Sequence, residues 1–425
     1  GSRRCGSKVL NATSETVEPG VRLTRLDNGL RVVTEHLPHA RSVALGCWVG
    51  VGNRDEPAAR SGVSHFLEHL AFKGTPRRDA RTIAESVDAT GGEMNAFTTK
   101  EYTGYELRLP ARHLAFAIDL LCDVVRNPAL RPTDVDAERM VILEELHLQN
   151  DEPDDVVHTE LYGALFPSHP LGWEILGTED TISAMTPDDI RVFHDRWYRP
   201  SNLVVAAAGP LDHDELVAAV VAQIDEPDPG ARPQRAAPTA PAEPRRAVRR
   251  PVESAHVALG WRALSHDDDD RFALAIANQL LGVGLSSRLF QAVREERSLA
   301  YSVFSSVSAY ADTGVFSVYA GTTPNKVREL LDVVAEQIDD VVEHGPSEQE
   351  LAVAKGAFEG STLISLEDTG SRMSRLATSV VLRDRVMPLD EFLARIDAIT
   401  VEDVQRVAAR VLGAPPTIAT VGPTD

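Results

Sequence analysis

His65-Phe66-Leu67-Glu68-His69 is the segment of this chain whose residue types and spacing can do chemistry. On a helix, His65 and His69 are one turn apart and project from one face, so both imidazoles reach a single ion. Glu68 lies on the same side and is free to hold a water beside that ion. Two neutral nitrogen ligands suit Zn2+, which at a catalytic site takes a third protein ligand and keeps one position for water. Zinc brings the pKa of such a water to about 7, and a carboxylate takes its proton as it attacks a carbonyl. The residue order is that of the inverted zinc helix, His-x-x-Glu-His. The ordinary alternative is an amphipathic helix whose histidines satisfy local hydrogen bonds.

A third ligand should be a carboxylate on a neighbouring helix, and Glu138-Arg139-Met140-Val141-Ile142-Leu143-Glu144-Glu145-Leu146 supplies one. Glu138 and Glu145 are two turns apart on one helix face, with apolar residues between them for anchoring. Glu145 can bind the metal while Glu138 accepts a hydrogen bond from the outer N–H of a ligand histidine. The alternative for a lone glutamate is a solvated acidic face. His113, His147, His158, His169, His194 and His256 show no ligand spacing and are expected to be structural or surface residues.

The elements that must hold these side chains are mixed. Val21 to Leu26 and Leu30 to Glu35 flank Asn28-Gly29, the pair a tight hairpin turn needs. Met94 to Lys100 and Tyr102 to Leu109 read as a second strand pair. Helical periodicity runs over Ser61 to Phe72, Ala80 to Ala89, Leu114 to Val125, Asp134 to Gln149 and Pro187 to Tyr198. Thr186, Pro187 and Asp189 form a helix start, with a cap, a first-turn proline and an acidic third position. Hairpins followed by helices point to an α+β fold with helices packed on mainly antiparallel sheets.

The chain also repeats itself. Ser42-Val43-Ala44-Leu45-Gly46-Cys47-Trp48 recurs as His256-Val257-Ala258-Leu259-Gly260-Trp261, 214 residues on. Pro132-Thr133-Asp134 meets Pro346-Ser347-Glu348, and Thr186-Pro187-Asp188-Asp189-Ile190 meets Thr400-Val401-Glu402-Asp403-Val404, at the same offset. Three anchors in register indicate a duplicated domain. Between the halves lies a proline-rich stretch, residues 226–251, of the kind that forms a semi-rigid solvated spacer. The expected organisation is an N-terminal arm with a tag scar over 1–19, a metal-binding domain over 20–225, the linker, and a homologous domain without metal over 252–425. At the 214-residue offset His65, Glu68 and His69 fall on Gln279, Gly282 and Val283, so the second half keeps no metal set, although Glu359 falls opposite Glu145.

Composition narrows the partners. A formal net charge of -21 argues against nucleic acid, whose phosphates need concentrated Lys and Arg. If the acid lines a cavity, it favours peptides with basic residues. No apolar run reaches the length of a membrane span. Cys5, Cys47 and Cys122 are odd in number and widely spaced, which fits a reducing compartment and small buried thiols. The expectation is a cytoplasmic bacterial protein, with a processed leader still open because Gly1-Ser2 looks like a tag scar.

HFLEHLAFKGT around His65 to His69, followed by ERMVILEEL beginning sixty-nine residues after His69, resembles the pitrilysin-like zinc peptidases. The look-alikes are the mitochondrial processing peptidase and its bacterial relatives. GGEMNAFTTKEYTGY (91–105), SSRLFQAVREERSLAYSV (286–303) and the duplicated layout match as well, so the resemblance covers nearly the whole chain. It implies one Zn2+ per chain held by His65, His69 and Glu145, with Glu68 as general base and Glu138 as supporting acid. The family spacing selects Glu145 over Glu144. It also implies that the strand of Asn95, Ala96 and Phe97 receives the substrate, whose backbone can pair with an exposed sheet edge. Arg294 and Tyr301, seven residues apart, match a pair that would hold the substrate backbone and stabilise the oxyanion. From the residues alone the favoured reading of these two is a surface ion pair and a buried phenol.

The expected function is a zinc endopeptidase that cleaves extended or unfolded peptides inside the chamber of a homodimer, each subunit's Arg294 and Tyr301 serving its partner's zinc site. One rival is a catalytically silent peptide-binding or assembly subunit of the same fold. Another is a zinc amidase.

Overall fold

The computed structural model describes residues 11–226 and 230–423. Cys5 and the tag-scar residues of the expected arm lie outside them. The chain divides into two compact units. The first comprises residues 1–141, 175–234 and 365–388, and the second 142–174, 235–364 and 389–425.

Unit 1 is built on a seven-stranded sheet. Its strands are β1 (Ala12–Glu18), β2 (Val21–Leu26), β3 (Arg31–His36), β4 (Ser42–Val49), β5 (Glu93–Thr98), β6 (Thr103–Pro110) and β7 (Leu203–Gly209). Their order is β1-β2-β3-β7-β4-β6-β5, antiparallel except where β3 meets β7. Residues 12–18, read from the sequence as part of an arm, therefore extend the sheet by pairing with β2. Asn28-Gly29 closes the expected β2–β3 hairpin, with Gly29 at φ +84. At the other edge β5 pairs with β6 alone among the described residues.

The helices of the first half are α1 (Val63–Ala71), α2 (Ala80–Asp88), α3 (Leu114–Arg126), α4 (Pro132–Asp151), α5 (Pro153–Leu165), α6 (Glu179–Ala184), α7 (Pro187–Trp197) and α8 (His213–Val221). Those periodic in the sequence appear within about two residues of the expected ends. α5 had no expectation.

Unit 2 carries a five-stranded sheet, ordered β10-β11-β9-β12-β8. Its members are β8 (Arg245–Arg249), β9 (Ala255–Ala263), β10 (Ala300–Ala309), β11 (Gly314–Thr322) and β12 (Thr417–Gly422). β8 lies inside the stretch read as a linker. Exposed Arg245, Ala247 and Arg249 alternate with the half-buried Arg246 and Val248, and its backbone pairs in parallel with β12. The backbone ladder and a half-buried valine outweigh the charge there. The remaining helices are α9 (Arg271–Gly282), α10 (Val327–His344), α11 (Glu348–Ser365), α12 (Thr369–Arg383), α13 (Leu389–Asp397) and α14 (Val401–Leu412).

The repeat is visible element by element, because β4, α4, α7 and β7 have β9, α11, α14 and β12 as counterparts about 214 residues on. One pair is exchanged. Helix α12 belongs to the second half of the sequence but packs on the first sheet, where Met373, Leu376, Ala377 and Val380 join Trp48, Ala206 and Leu23. Its counterpart α5 packs on the second sheet, with Val157, Leu161 and Leu165 against Ala258, Ala419 and Val421. Each core buries apolar side chains from both halves of the sequence. Periodicity identifies a helix's apolar face but carries no address for the sheet that covers it.

Candidate metal centre and substrate strand

Helix α1 shows a clean division of faces. Val63, Phe66, Leu67, Leu70 and Ala71 recur at helical spacing and are buried. That stripe docks the helix and leaves His65, Glu68 and His69 together on the half-buried face. The rings of His65 and His69 lie 4.6 Å apart between centroids.

Helix α4 answers from the facing side. Val135, Glu138, Ile142 and Leu146 are its buried positions, and Glu145 is half-buried beside them, whereas Glu144 is exposed. Ligand atoms of His65, His69 and Glu145 all lie within 4.8 Å of one another, the one such group of three among the described residues. Two imidazoles and one carboxylate at that separation fit a small divalent cation of the zinc type. Glu138 sits 3.1 Å from Nδ1 of His69 through one oxygen and 2.7 Å from Nζ of Lys73 through the other. A carboxylate accepts, so with Glu138 as acceptor Nδ1 of His69 donates and its Nε2 is left with a lone pair for a cation. Lys73 carried no spacing signal. It reaches Glu138 because the chain turns after α1.

Two further residues were missed in the sequence. Thr98, the last residue of β5, donates its hydroxyl to Oε2 of Glu68 at 2.5 Å. The edge strand and the carboxylate are thereby joined directly. Behind Glu68 the phenols of Tyr105 and Tyr198 meet at 2.8 Å, and burial pushes both above the usual phenol range.

The other is Glu56. Helix α1 begins at Gly62, whose φ of +92 and close approach to the Leu176 carbonyl require glycine. Glycine has no side chain to cap the first turn. Glu56 supplies the cap from outside, accepting from the backbone N–H of Gly62 and of Ser64, both at 2.7 Å. Burial pushes its carboxyl up to about 7, against the lowering effect of the two N–H donors and of Lys100. The usual value is 4.5, so neutral Glu56 favours the folded state below about pH 4.5, and that contribution is lost as pH rises through 7. Zinc-free protein is therefore expected to lose on the order of 3 kcal/mol of unfolding stability between pH 5 and pH 8 from this group. Urea titrations at the two pH values should show the loss in the wild type and little of it in Glu56→Gln; equal pH dependence in both would contradict it.

Asn95 is exposed on edge strand β5, and Ala96 is half-buried beside it. The half-buried Phe97 ring packs edge-on against Trp48 and Tyr102, each at 6.1 Å. In unit 2, the Arg294 guanidinium lies 4.6 Å over the Tyr301 ring and 4.9 Å from that of Phe290. Tyr301 is 82% exposed on strand β10, which makes it a solvent-facing phenol and not a buried one. Gln279, Gly282 and Val283 close helix α9, where no metal set forms among the described residues.

The family model described as Insulinase (Peptidase family M16) matches residues 31–179, and the one described as Peptidase M16 inactive domain matches residues 184–358. An uncharacterized zinc protease of Streptomyces coelicolor is 45% identical over 416 residues, covering 95% of this chain and 90% of the relative. The chain belongs to peptidase family M16. A second M16 relative, the uncharacterized zinc protease YmxG of Bacillus subtilis, is 36% identical over 93% of this chain and 97% of its own. The fold is shared with a crystal structure of a protease from Helicobacter pylori, at a TM-score of 0.88 and 23% identity over 98% of this chain and all of that one. A peptidase M16 inactive domain from Pseudomonas fluorescens superposes at 0.87 with 22% identity, covering 98% of this chain and 99% of that one. Among the described residues of this M16 chain, no helix is long and apolar enough to cross a membrane.

Proposed function

We propose that this chain is a zinc-dependent endopeptidase acting on extended or unfolded peptides, with His65, His69 and Glu145 holding one zinc ion. The observation that carries it is the convergence of those three donor groups beside Glu68, which is itself bonded to Thr98 of β5, the edge strand of the sheet among the described residues. When bound, zinc supplies Lewis-acid polarisation of a carbonyl and a lowered pKa for a water.

The chain's own groups do the rest. A peptide laid along β5 pairs with its free N–H and C=O groups, largely whatever its side chains, and this brings its backbone beside Glu68. Glu68 takes a proton from the attacking water and passes it to the departing amine. The Thr98 hydroxyl holds the Glu68 carboxylate toward the strand. Glu138 and Lys73 keep His69 in one tautomer and orientation. Thr98→Val is expected to lower kcat about tenfold with little change in KM, and Thr98→Ser to restore most of it, since only the serine keeps the donor. Steady-state kinetics on the pair checks this; equal rates for valine and serine would show the hydrogen bond to be idle.

The deciding test is hydrolysis of an unstructured, arginine-containing peptide of about twenty residues, long enough to span a strand edge in extended form. Cleavage that stops on chelation and returns with zinc supports the proposal. Binding of both zinc and peptide with no cleavage overturns it in favour of a silent peptide-binding subunit. That second reading draws on the inactive-domain match. The match covers residues 184–358, however, and leaves His65, Glu68, His69 and Glu145 outside it.

In this proposal the protein works as a homodimer enclosing a chamber, with Arg294 and Tyr301 of each subunit acting at the partner's zinc site. The solvent-facing Arg294–Tyr301 pair supports it, because such a pair is available to a peptide backbone. Mixing Glu68→Gln subunits with Arg294→Ala subunits should recover activity; a dead mixture removes the shared site. Basic peptides are the proposed preferred substrates, given the charge of -21.

A further inference from the structure

Glu56 belongs to a closed ring of contacts that joins the substrate strand to both ends of the HxxEH segment. At one point of the ring, Thr98 at the end of β5 donates to Glu68. Immediately after Thr98, the turn 99–101 leads into β6. That turn is fastened to the segment 52–56. Asn53 N–H donates to the Thr99 carbonyl at 3.2 Å, and Arg54 N–H donates to the Lys100 carbonyl at 2.8 Å. The Arg54 guanidinium pairs with Glu101 at 2.6 Å, both side chains buried. Gly52 approaches so closely that a Cβ there would sit 2.2 Å from the Thr99 carbonyl oxygen. Three residues after Asn53, Glu56 takes the Gly62 and Ser64 amides, and Ser64 precedes His65.

Each link is rigid for a physical reason. The Arg54–Glu101 pair is out of water, so breaking it would strand a buried charge. The Glu56 carboxyl is the acceptor for two first-turn donors that Gly62 cannot serve from its own side chain. A carboxylate at that end also opposes the positive end of the helix dipole. Without Glu56, α1 keeps its apolar docking stripe but loses the contact that sets its rotation and axial position at the first turn. His65 lies in that turn.

We infer that Glu56 is a positioning residue for the metal centre: it locks the first turn of α1 to the turn that ends the substrate strand, so that His65 and Glu68 are held in register with β5. The inference rests on zinc binding at His65, His69 and Glu145. It assigns Glu56 no contact with substrate or zinc.

Zinc affinity of the full chain, measured by competition with a chromophoric chelator, is the primary readout, and the visible spectrum of the cobalt-substituted protein is the second. Glu56→Gln keeps the size but turns an amide N–H2 toward one of the two backbone donors. It is expected to weaken zinc binding about tenfold or more, the range seen when outer partners of metal ligands are removed. The cobalt bands should shift, and kcat should fall with KM within about twofold, as for lost preorganisation. The unfolding midpoint of the zinc-free variant at pH 8 should be no lower than that of the wild type, which separates positioning from a general loss of stability. Glu56→Asp keeps both acceptor oxygens on a shorter arm and should recover part of the affinity and spectrum; it also serves as the test variant if the Gln protein does not fold. Wild-type zinc affinity and cobalt bands in the folded Gln variant would overturn the inference, as would wild-type values in the Asp variant where the Gln protein does not fold. Failure of the wild type itself to bind zinc would instead bring down the metal site and the proposed function with it.

Discussion

Glu68→Gln is expected to lower kcat by about a thousandfold, within the range of a lost general base, while zinc still binds at one ion per chain. The substitution is close to isosteric, and the amide oxygen can still accept from Thr98, whose hydroxyl now lies 2.5 Å from the carboxylate. His65, His69 and Glu145 are untouched, so the donor set that fits zinc remains. What goes is the carboxylate, whose capacity to take a proton from water an amide cannot copy. KM should move little, because the edge-strand hydrogen bonds that would hold a peptide do not involve the Glu68 side chain. Single-turnover and steady-state rates with bound zinc measured in the same samples decide it. A variant within tenfold of the wild type would remove Glu68 from the chemistry.

The second large effect is a contrast between neighbours. Glu145→Gln should weaken zinc binding about a hundredfold or more, and Glu144→Gln should leave it unchanged. The two are adjacent in sequence, but α4 turns Glu145 toward the face of Glu138, Ile142 and Leu146 and leaves Glu144 exposed. Of the two neighbours, it is Glu145 whose carboxylate oxygen joins ligand nitrogens of both His65 and His69 in a group within 4.8 Å. A neutral amide in its place is a much poorer zinc ligand and no longer offsets the charge of the ion. Metal content after dialysis against a weak chelator would show one zinc per chain for Glu144→Gln and almost none for Glu145→Gln. Loss in both, or in neither, would place the third ligand elsewhere.

Much of this was written in local patterns. His65, Glu68 and His69 share a face because of the helical repeat, and five apolar residues on the other side say which face is packed. Glu138 and Glu145 are two turns apart for the same reason. Asn28-Gly29 announced its hairpin, and the 214-residue repeat announced two related sheets. These inferences need only the geometry of one element or the comparison of two stretches of chain.

The contacts that complete the site have no such period. Thr98 meets Glu68 across 30 residues, Lys73 meets Glu138 across 65, and Glu56 caps a helix that begins six residues later. Helix Pro153–Leu165 and its counterpart Thr369–Arg383 each cover the sheet of the other half.

The sequence by itself carried the candidate metal-ligand set, the duplicated α+β plan and the absence of a matching set at the 214-residue offset in the second half. Each follows from residue type and periodic spacing along one element. Only the tertiary structure decided which groups hold His69, Glu68 and the first turn of α1 in place, and which sheet each exchanged helix covers. Hydrogen bonds and apolar burial between distant segments depend on where the chain brings them, and no local pattern encodes that.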